Sequence, residues 1–248
     1  MAVSRKRPTM IELQPTFCPG CGHGVASRLL AEIIEEKELL DNFIMAMGVG
    51  CCASMRRHWG GEILQCAHGR TAAAARGLKI GRPDTCIVTY HGDGDAYVIG
   101  LQETLNAAYT NANITMIVIN NTNFAMTGGQ MSWTTLPGQK TTTSTGAGRQ
   151  SGTPIRVPEM IVHSFPDVAF VARGTTYCAA EINKTKKLIQ TAIDCQLQNK
   201  GFSLVEILCP CPTNWGMNTK QACDHVRDVV TQHYPLGILK DVEGGLTK

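Results

Sequence analysis

The chain has 248 residues and is 43% apolar, so it is long enough to bury the core of one large domain or two small ones. Its 23 Lys and Arg residues nearly balance its 20 Asp and Glu residues. There is no basic run, no aromatic–basic interleaving and no apolar stretch long enough to cross a bilayer, so we expect neither nucleic acid nor a membrane as a partner.

Short β-rich runs alternate with helical patterns along the chain. In chain order, the pattern predicts a helix over 24–36, a strand over 42–50, a helix over 70–80, a strand over 85–90, a helix over 97–110, strands over 114–120 and 167–173, a helix over 181–199 and a strand over 202–208. Gly201 stands where a glycine that caps the last helix belongs. This alternation is typical of an α/β fold with a mostly parallel sheet flanked by helices on both faces.

The sequence has no internal repeat and no low-complexity linker, which favours a single domain. We assign residues 1–16 to an N-terminal extension and residues 17–248 to that domain. The N-terminal stretch MAVSRKRPTMIELQP is basic but lacks the apolar region of a secretory signal, so we expect a cytoplasmic protein.

Polar and glycine-rich motifs follow two of the predicted strands, where an α/β sheet binds its ligands. Gly92-Asp93-Gly94 follows strand 85–90, and Asn120-Asn121 follows strand 114–120. A carboxylate and an amide oxygen side by side suit Mg²⁺, while the glycines and the start of the next helix suit a phosphate. The two motifs together indicate a diphosphate held by Mg²⁺, although each alone is also an ordinary turn sequence.

These motifs resemble a known family. The segment GDGDAYVIGLQETLNAAYTNANITMIVINN resembles the thiamine-diphosphate signature. Seven motifs resemble, in their order, the β subunit of 2-oxoacid:ferredoxin oxidoreductases, especially the branch that acts on 2-oxoisovalerate or related acids: CPGCGHG, GVGC, AHGR, GDGDAYVIG, NNTNFAMTGGQ, LPGQKTTT and CPTNWG. The resemblance runs from Phe17 to the YPLGILKDVEGG tail. It implies a thiamine-diphosphate-binding fold of the PP type, the domain type that binds the diphosphate end of the cofactor.

The resemblance also implies roles for individual residues. Asp93, Asn121 and the carbonyl of Asn123 would bind Mg²⁺. The diphosphate would be lined by His68, Gly92, Gly94, Asp95 and Thr127. The sequence itself supports part of this diphosphate site, because His68 and Arg70 lie at the start of an Ala-rich helix whose dipole favours an anion. A solvated helix cap is the alternative interpretation of both side chains.

Eleven cysteines in a chain without a secretory signal argue against a disulfide framework. Isolated cysteines are typical of core or surface thiols, and they are Cys66, Cys86, Cys178, Cys195 and Cys223. If strands 42–50 and 202–208 share the sheet, then Cys51 and Cys211 reach its ligand edge with the C-x₂-C pair Cys18 and Cys21. Spacing alone leaves structural zinc and a thioredoxin-like pair as alternatives.

The resemblance assigns Cys18, Cys21, Cys51 and Cys211 to one [4Fe–4S] cluster. Cys52 directly follows Cys51, and Cys209 precedes Cys211 by two residues. Cys52 and Cys209 are therefore alternatives for the third and fourth ligands.

The implied reaction is the coenzyme A-dependent oxidative decarboxylation of a 2-oxo acid, with electrons passing through the cluster to ferredoxin. We assign no catalytic residue to this chain, because in this family the glutamate that activates thiamine lies on a partner α subunit with the pyrimidine-binding domain. The implied partners also include a γ subunit and a ferredoxin-like δ subunit. Two alternatives remain: a non-redox thiamine-dependent decarboxylase subunit with structural zinc, and a non-catalytic nucleotide-binding assembly protein.

Two further expectations concern loops. Gly128 occupies a position where some oxoglutarate-using relatives carry a lysine, so we favour a 2-oxo acid with an uncharged side chain, such as 2-oxoisovalerate. The Thr- and Gly-rich segment 126–158 contains Lys140, Arg149 and Arg156 and is longer than an ordinary connection. We expect it to close over the site or to meet a partner; a disordered surface loop is the alternative.

Overall fold

Eight strands build one central sheet in the computed structural model, which describes residues 6–144, 148 and 152–242 and the backbone of 245–246. The strands of the described residues are β1 (Phe43–Met47), β2 (Glu62–Gln65), β3 (Cys86–Gly92), β4 (Thr115–Asn120), β5 (Asn123–Phe124), β6 (Gln130–Met131), β7 (Phe170–Thr175), β8 (Ser203–Leu208), β9 (Gly237–Asp241) and β10 (Gly245–Leu246). The two shortest internal strands, β5 and β6, pair only with each other as an antiparallel hairpin.

The order across the sheet is β10-β9-β7-β8-β4-β3-β1-β2. All neighbours from β7 to β2 run parallel, whereas β9 is antiparallel to β7 and β10 is antiparallel to β9. The prediction of a mostly parallel sheet is therefore confirmed. Strands β1, β4 and β8 are buried along their whole length, because helices cover both faces of the sheet.

The helices are α1 (Gly22–Glu36), α2 (Thr71–Gly81), α3 (Leu101–Tyr109), α4 (Val157–Ser164), α5 (Ala179–Leu197), α6 (Pro212–Trp215), α7 (Thr219–His225) and α8 (Thr231–His233). One apolar core lies between the sheet and α1 and α5, where Leu30, Ile34 and Ile193 are fully buried. A second core lies on the opposite face beneath α2, α3 and α4, which contribute mostly small residues such as Ala75 and Ala107. The helices thus flank the sheet on both sides, as the sequence predicts.

The predicted helix over 97–110 is interrupted in the structure. A π-helical turn, Asp95–Ile99, precedes α3 and ends at Gly100. A Cβ atom at Gly100 would lie 2.5 Å from the carbonyl oxygen of Gly69, so the two backbones touch directly. Single π-helical turns inside helices are common at functional sites, and this one brings the turn that carries His68 against the turn after β3.

Other differences from the prediction have local causes. Strand β2 was not predicted, because it is a short edge strand whose residues are exposed or half-buried and lack an apolar pattern. The prediction that Gly201 caps the long helix is wrong. Asn199 takes the left-handed conformation after α5, with φ of 55°. Gly201 instead packs so closely against Asn111 that a Cβ atom would overlap that side chain.

The described part of the predicted N-terminal extension, residues 6–16, packs on the sheet domain. Met10 and Ile11 are buried, and Ile11 forms an isolated β-bridge with Trp59. The boundary at residue 17 stays a prediction. Among the described helices, none combines the length and the apolar character that a bilayer crossing requires.

Candidate functional site

Four adjacent strands, β8, β4, β3 and β1, end at one edge of the sheet, and each is followed by a predicted ligand. These ligands are Cys211, Asn121, Asp93 and Cys51. A cleft of about 100 Å³ lies at this edge, lined by residues that include Cys51, His68, Asp93, Asn121 and Thr127. Cys211 does not line it. Pockets that enclose a whole small molecule usually measure roughly 300–1,000 Å³. The cleft is therefore too small to enclose a whole small molecule and can form only part of a binding site.

Two larger depressions lie away from the predicted ligands. One of about 470 Å³ is bordered by α2 and α3, and one of about 700 Å³ lies beside Glu159 and Arg173. Neither borders a cysteine or the turns after β3 and β4. We therefore place the site by its side-chain chemistry at the smaller cleft.

Three oxygen-bearing groups meet at the ends of β3 and β4. One terminal atom of the Asn121 amide lies 3.1 Å from Oδ1 of Asp93 and 2.8 Å from the carbonyl oxygen of Asn123. As a nitrogen, this atom would donate two hydrogen bonds; as an oxygen, it would complete a set of three oxygens around one point. Such a set is what Mg²⁺ requires. The structure thus brings together the three residues predicted to bind the metal.

Asp93 is almost fully buried, at 1% exposure. Burial raises the pKa of its carboxyl to about 6, while hydrogen bonds from Thr134, Ser132 and backbone groups oppose that shift. Oδ2 accepts a hydrogen bond from the Thr134 hydroxyl. The other carboxylate oxygen, Oδ1, is the one that faces Asn121. The side chain is therefore fixed on one side and presents its second oxygen to the candidate metal position.

Asp95 lies at the cleft, but its carboxylate is occupied by the protein. It accepts hydrogen bonds from His91 Nδ1 at 2.8 Å and from the Gly69 N–H at 2.8 Å, and it contacts His68 Nδ1 at 2.5 Å. Burial alone would raise the pKa of Asp95, but the hydrogen bond and the charge of His91 outweigh it and lower the pKa. The Asp95 carboxylate thus contacts His68, His91 and Gly69, and its predicted contact with a diphosphate stays a prediction.

The predicted glycines have different surroundings. A Cβ atom at Gly92 would meet nothing within 4 Å, and the same holds for Gly50 on the opposite side of the cleft. These two positions leave room that a phosphate could fill. A Cβ atom at Gly94 would overlap the ring of Phe124, so this glycine is required by protein packing. Thr127 lines the cleft, and its hydroxyl donates to Oε1 of Gln130 at 2.7 Å.

The four predicted cluster ligands lie near one another. Burial raises the pKa of Cys21 to about 12, and the charges of Cys211, Cys51 and Cys18 add to that effect. Burial raises the pKa of Cys51 to about 11, with contributions from Cys211 and Cys18. Burial also raises the pKa of Cys211, and Cys18 contributes there. The four thiols are therefore close enough for a charge on one to raise the pKa of another.

Within the described ranges, no three His, Cys, Asp or Glu side chains converge closely enough to hold a single metal ion. The four thiols are neighbours without meeting at one point. Cys52 and Cys209, whose positions left the ligand assignment open, are almost fully buried in the core beneath α1. Cys209 accepts a hydrogen bond from Thr176 and would overlap a Cβ atom at Gly22.

Some residues of the site were not predicted. His23 borders the cleft, stacks on Phe17 and makes a hydrogen bond of 3.1 Å with the Tyr90 hydroxyl, and burial lowers its pKa to about 4. Asn214 donates to the carbonyl oxygen of Ala125 at 3.0 Å and to the Cys211 sulfur at 3.6 Å. His23 and Asn214 fall inside the CPGCGHG and CPTNWG motifs, so proximity to these cysteines was an available signal.

Two other expectations have mixed outcomes. Arg70 pairs with Glu103 and does not border the cleft. The described part of segment 126–158 supplies Thr134, which holds Asp93, and Thr135, which donates to the Thr122 carbonyl at 2.7 Å. Arg149 and residues 145–147, 150 and 151 lie outside the described residues. Contact of this segment with a partner stays a prediction.

The fold and the sequence both have close counterparts among known proteins. Residues 46–207 match the family described as thiamine pyrophosphate enzyme, C-terminal TPP binding domain. The ketoisovalerate oxidoreductase subunit VorA of Methanothermobacter marburgensis is 33% identical over 227 residues, which cover 91% of this chain and 47% of VorA. The chain thus spans about half the length of that relative. The 2-oxoglutarate synthase subunit KorB of Methanocaldococcus jannaschii is 33% identical over 203 residues, 81% of this chain and 70% of KorB.

A solved structure is similar over most of the chain. It is the 2-oxoglutarate:ferredoxin oxidoreductase from Magnetococcus marinus with 2-oxoglutarate, coenzyme A and succinyl-CoA bound. The TM-score is 0.77 at 27% identity, over 91% of this chain and 74% of that one. From this agreement of sequence and fold, we conclude that the chain belongs to the β subunits of the 2-oxoacid:ferredoxin oxidoreductase family and contains their thiamine-pyrophosphate-binding domain.

Proposed function

We propose that this chain is the subunit of a 2-oxoacid:ferredoxin oxidoreductase that binds the diphosphate end of thiamine diphosphate and one [4Fe–4S] cluster. The enzyme would convert a 2-oxo acid and coenzyme A to acyl-CoA and CO₂, with the released electrons passing to ferredoxin. One observation carries the proposal: Asp93, Asn121, Cys51 and Cys211 follow four adjacent strands at one edge of the sheet. Asp93, Asn121 and Cys51 line one cleft, and Cys211 lies close enough to Cys51 to raise its pKa.

The oxygen side of the cleft fits a Mg²⁺-bound diphosphate. Asp93, Asn121 and the Asn123 carbonyl would hold the metal, because together they offer one charged and two neutral oxygen ligands. His68, oriented by Asp95, would donate to the diphosphate, which would occupy the room left by Gly92. When bound, thiamine diphosphate supplies the electron sink for decarboxylation.

The sulfur side fits a cluster better than a set of separate structural thiols. Cys18, Cys21, Cys51 and Cys211 lie close enough for a charge on one to raise the pKa of another, although no disulfide joins any of the eleven cysteines. Cys211 also accepts a hydrogen bond from the Asn214 side chain at 3.6 Å. Hydrogen bonds to the sulfurs are a known means of tuning cluster potential. When bound, the cluster would accept electrons one at a time.

The proposal includes an α subunit that covers the cleft. The cleft is small, and the exposed apolar side chains Met126, Met131 and Trp133 stand on the loop beside it. A cover would supply the pyrimidine-binding domain and the activating glutamate, for which we assign no residue in this chain. The family resemblance adds γ and δ subunits. The free state of all cysteines accords with a reducing compartment, so we place the complex in the cytoplasm.

For the substrate, we favour a 2-oxo acid with an uncharged side chain, such as 2-oxoisovalerate. Gly128 offers no cation to a second carboxylate in the loop that lines the cleft. The relatives are named for both ketoisovalerate and 2-oxoglutarate. Steady-state comparison of 2-oxoisovalerate with 2-oxoglutarate tests the choice: higher kcat/KM is expected for 2-oxoisovalerate, and a preference for the dicarboxylate would overturn it.

The central experiment is anaerobic purification of the chain with its co-expressed partners, followed by analysis of iron, acid-labile sulfide, zinc and thiamine diphosphate. We expect thiamine diphosphate together with four iron and four sulfide per copy of this chain, in addition to the iron and sulfide of the ferredoxin-like δ subunit, as one [4Fe–4S] cluster requires. Zinc without sulfide would favour the non-redox decarboxylase. A complex without thiamine diphosphate would favour the non-catalytic assembly protein.

A further inference from the structure

Thr122, which separates the two asparagines of the candidate metal site, has an unusual backbone. Its φ is 60°, in the left-handed region that β-branched residues rarely adopt. The side chain is fully buried. This conformation turns the chain so that the Asn121 side chain and the Asn123 carbonyl reach the same point. Such backbone strain persists only where the surrounding structure imposes it, so its cause lies in the groups that contact Thr122.

Every polar group of Thr122 is held by another group. Its N–H donates to Oδ1 of Asn120 at 3.0 Å, and its hydroxyl donates to the Asn121 carbonyl at 2.8 Å. Its carbonyl accepts from the Thr135 hydroxyl at 2.7 Å. Of these contacts, only the one from Asn120 comes from a side chain at the end of the sheet itself.

Asn120 is in turn fixed by charged groups inside the sheet. Its Nδ2 donates to Oε1 of Glu206 at 3.0 Å, and the other oxygen of Glu206 pairs with Arg173 on the neighbouring strand. Arg173 also donates to both carboxylate oxygens of Glu159, at 2.8 and 2.7 Å. Asn120, Glu206 and Arg173 are each 1% exposed. Ion pairs buried to this degree contribute little net stability, which leaves their positional effect on Asn120 as the notable consequence.

We propose that Asn120, held by Glu206 and Arg173, is a positioning residue that keeps Thr122 left-handed and thereby assembles the divalent-metal site of Asp93, Asn121 and Asn123. This inference rests on the proposed function, because it assumes a metal and thiamine diphosphate at that site. The inference gives Asn120 a positioning role in addition to its place in the buried core.

A glycine at position 122 distinguishes a positioning role of Asn120 from an ordinary role in core packing. Glycine adopts positive φ without the penalty of a Cβ atom, so Thr122→Gly should need no help from Asn120. The Asn120→Ala variant should lose metal affinity, and adding Thr122→Gly should restore it. A variant that had merely damaged the core would not be rescued by a second substitution that removes further contacts.

The test uses the complex co-expressed with its partner subunits, freed of metal and then titrated with Mn²⁺ in saturating thiamine diphosphate, with free Mn²⁺ measured by electron paramagnetic resonance. We expect Asn120→Ala to weaken Mn²⁺ binding about tenfold, the effect of one buried hydrogen bond. Thr122→Gly alone should stay within about twofold of wild type, and the double variant within about threefold. The matched control is Asn113→Ala, which removes an asparagine before the start of β4 that bonds to Gln196 and Asn199; it should bind Mn²⁺ as wild type does.

Two results would overturn the inference: wild-type affinity in Asn120→Ala, or a double variant that binds no better than Asn120→Ala. Should Asn120→Ala fail to assemble, Asn120→Ser takes its place with the same two criteria. Failure of the wild-type complex itself to bind Mn²⁺ and thiamine diphosphate would instead refute the proposed function.

Discussion

The oxygen side and the sulfur side of the cleft are built in different ways. Asp93, Asn121 and Asn123 are 6% exposed or less and come from two adjacent strands joined by one helix. Hydrogen bonds from the protein hold them before any ligand arrives. The cysteines come from three separate segments, and Cys18 is exposed. Their charges repel one another, so bringing them together as thiolates needs a metal.

The two sides differ in how much of the ligand's binding free energy is used to organise the protein. The oxygen side is preorganised, so a metal that binds there gains affinity from fixed ligands. On the sulfur side, cluster binding must also deprotonate the buried thiols of Cys21 and Cys51 and order their loops. A substitution on one side should therefore abolish ligand binding on that side and leave the ligand of the other side bound.

The largest effect is expected from Cys21→Ala. Loss of one thiolate should remove this chain's cluster, reduce the iron content of the complex by about four per copy of this chain and abolish coenzyme A-dependent oxidation, while thiamine diphosphate remains bound. Iron and cofactor analysis of the same preparation measures both. Cys223→Ala is the matched control, because Cys223 is a half-buried thiol on α7, away from the cleft. Retention of a full cluster in Cys21→Ala would contradict the ligand assignment.

Asp93→Ala should produce the converse loss. It removes the single anionic ligand that we assign to the metal, so the complex should fail to retain thiamine diphosphate through gel filtration but keep its iron. We expect the affinity for thiamine diphosphate with Mg²⁺ to fall by at least about a hundredfold. Loss of a residue that only hydrogen-bonds to a metal ligand already costs about 10- to 100-fold in metal affinity, and Asp93 is proposed as a ligand itself. Asp167→Ala on the surface loop before β7 is the control. Equal retention by Asp93→Ala and wild type would refute the metal site.

Asn214→Leu should have a smaller effect, confined to the sulfur side, because Asn214 contacts the Cys211 sulfur and the carbonyl of Ala125. The substitution removes the hydrogen bond to the Cys211 sulfur and the one to the Ala125 carbonyl. Fewer N–H donors stabilise the reduced, more negative cluster less, so its reduction potential should become more negative. A redox titration followed by electron paramagnetic resonance measures this. An unchanged or more positive potential would show that the amide does not tune the cluster.

The fold was largely predictable, because continuous apolar runs such as those of β1 and β4 signal buried parallel strands. The chemistry of the site was predictable where it follows those strands directly, as Asp93 and Asn121 do. Thr134 was not, because its hydrogen bond to Asp93 joins residues 41 positions apart through a loop without periodicity. The left-handed Thr122 was not either, since threonine normally indicates extended backbone.

The smallest expected effect lies at the outer end of the buried charges, at Glu159. Burial would raise the pKa of Glu159, but hydrogen bonds and charge from Arg173 outweigh it and lower the pKa below 4.5. A lowered folded-state pKa stabilises the fold above the unfolded value and loses that contribution as the pH falls through the folded pKa. Wild type should therefore lose more stability than Glu159→Gln between pH 6 and 3.5.

Because the Glu159 side chain is one-third exposed, solvent screening should limit the difference to about 1 kcal/mol or less. Thermal unfolding at several pH values measures it. The control is Glu38→Gln on the loop after α1. Parallel pH profiles for wild type and Glu159→Gln would contradict the expectation.

The backbone contact between Gly69 and Gly100 carries a consequence for divergence among homologues. Any side chain at position 100 would strike the Gly69 carbonyl, and Gly69 itself has a φ of 75°. Neither position has an acceptable single substitution, so both should be invariant in an alignment of this subfamily. Gly77 and Gly81 on α2 face open space and should vary freely. Glycines of this chain would thus evolve at two very different rates, set by which atoms lie within 4 Å of the missing Cβ atom.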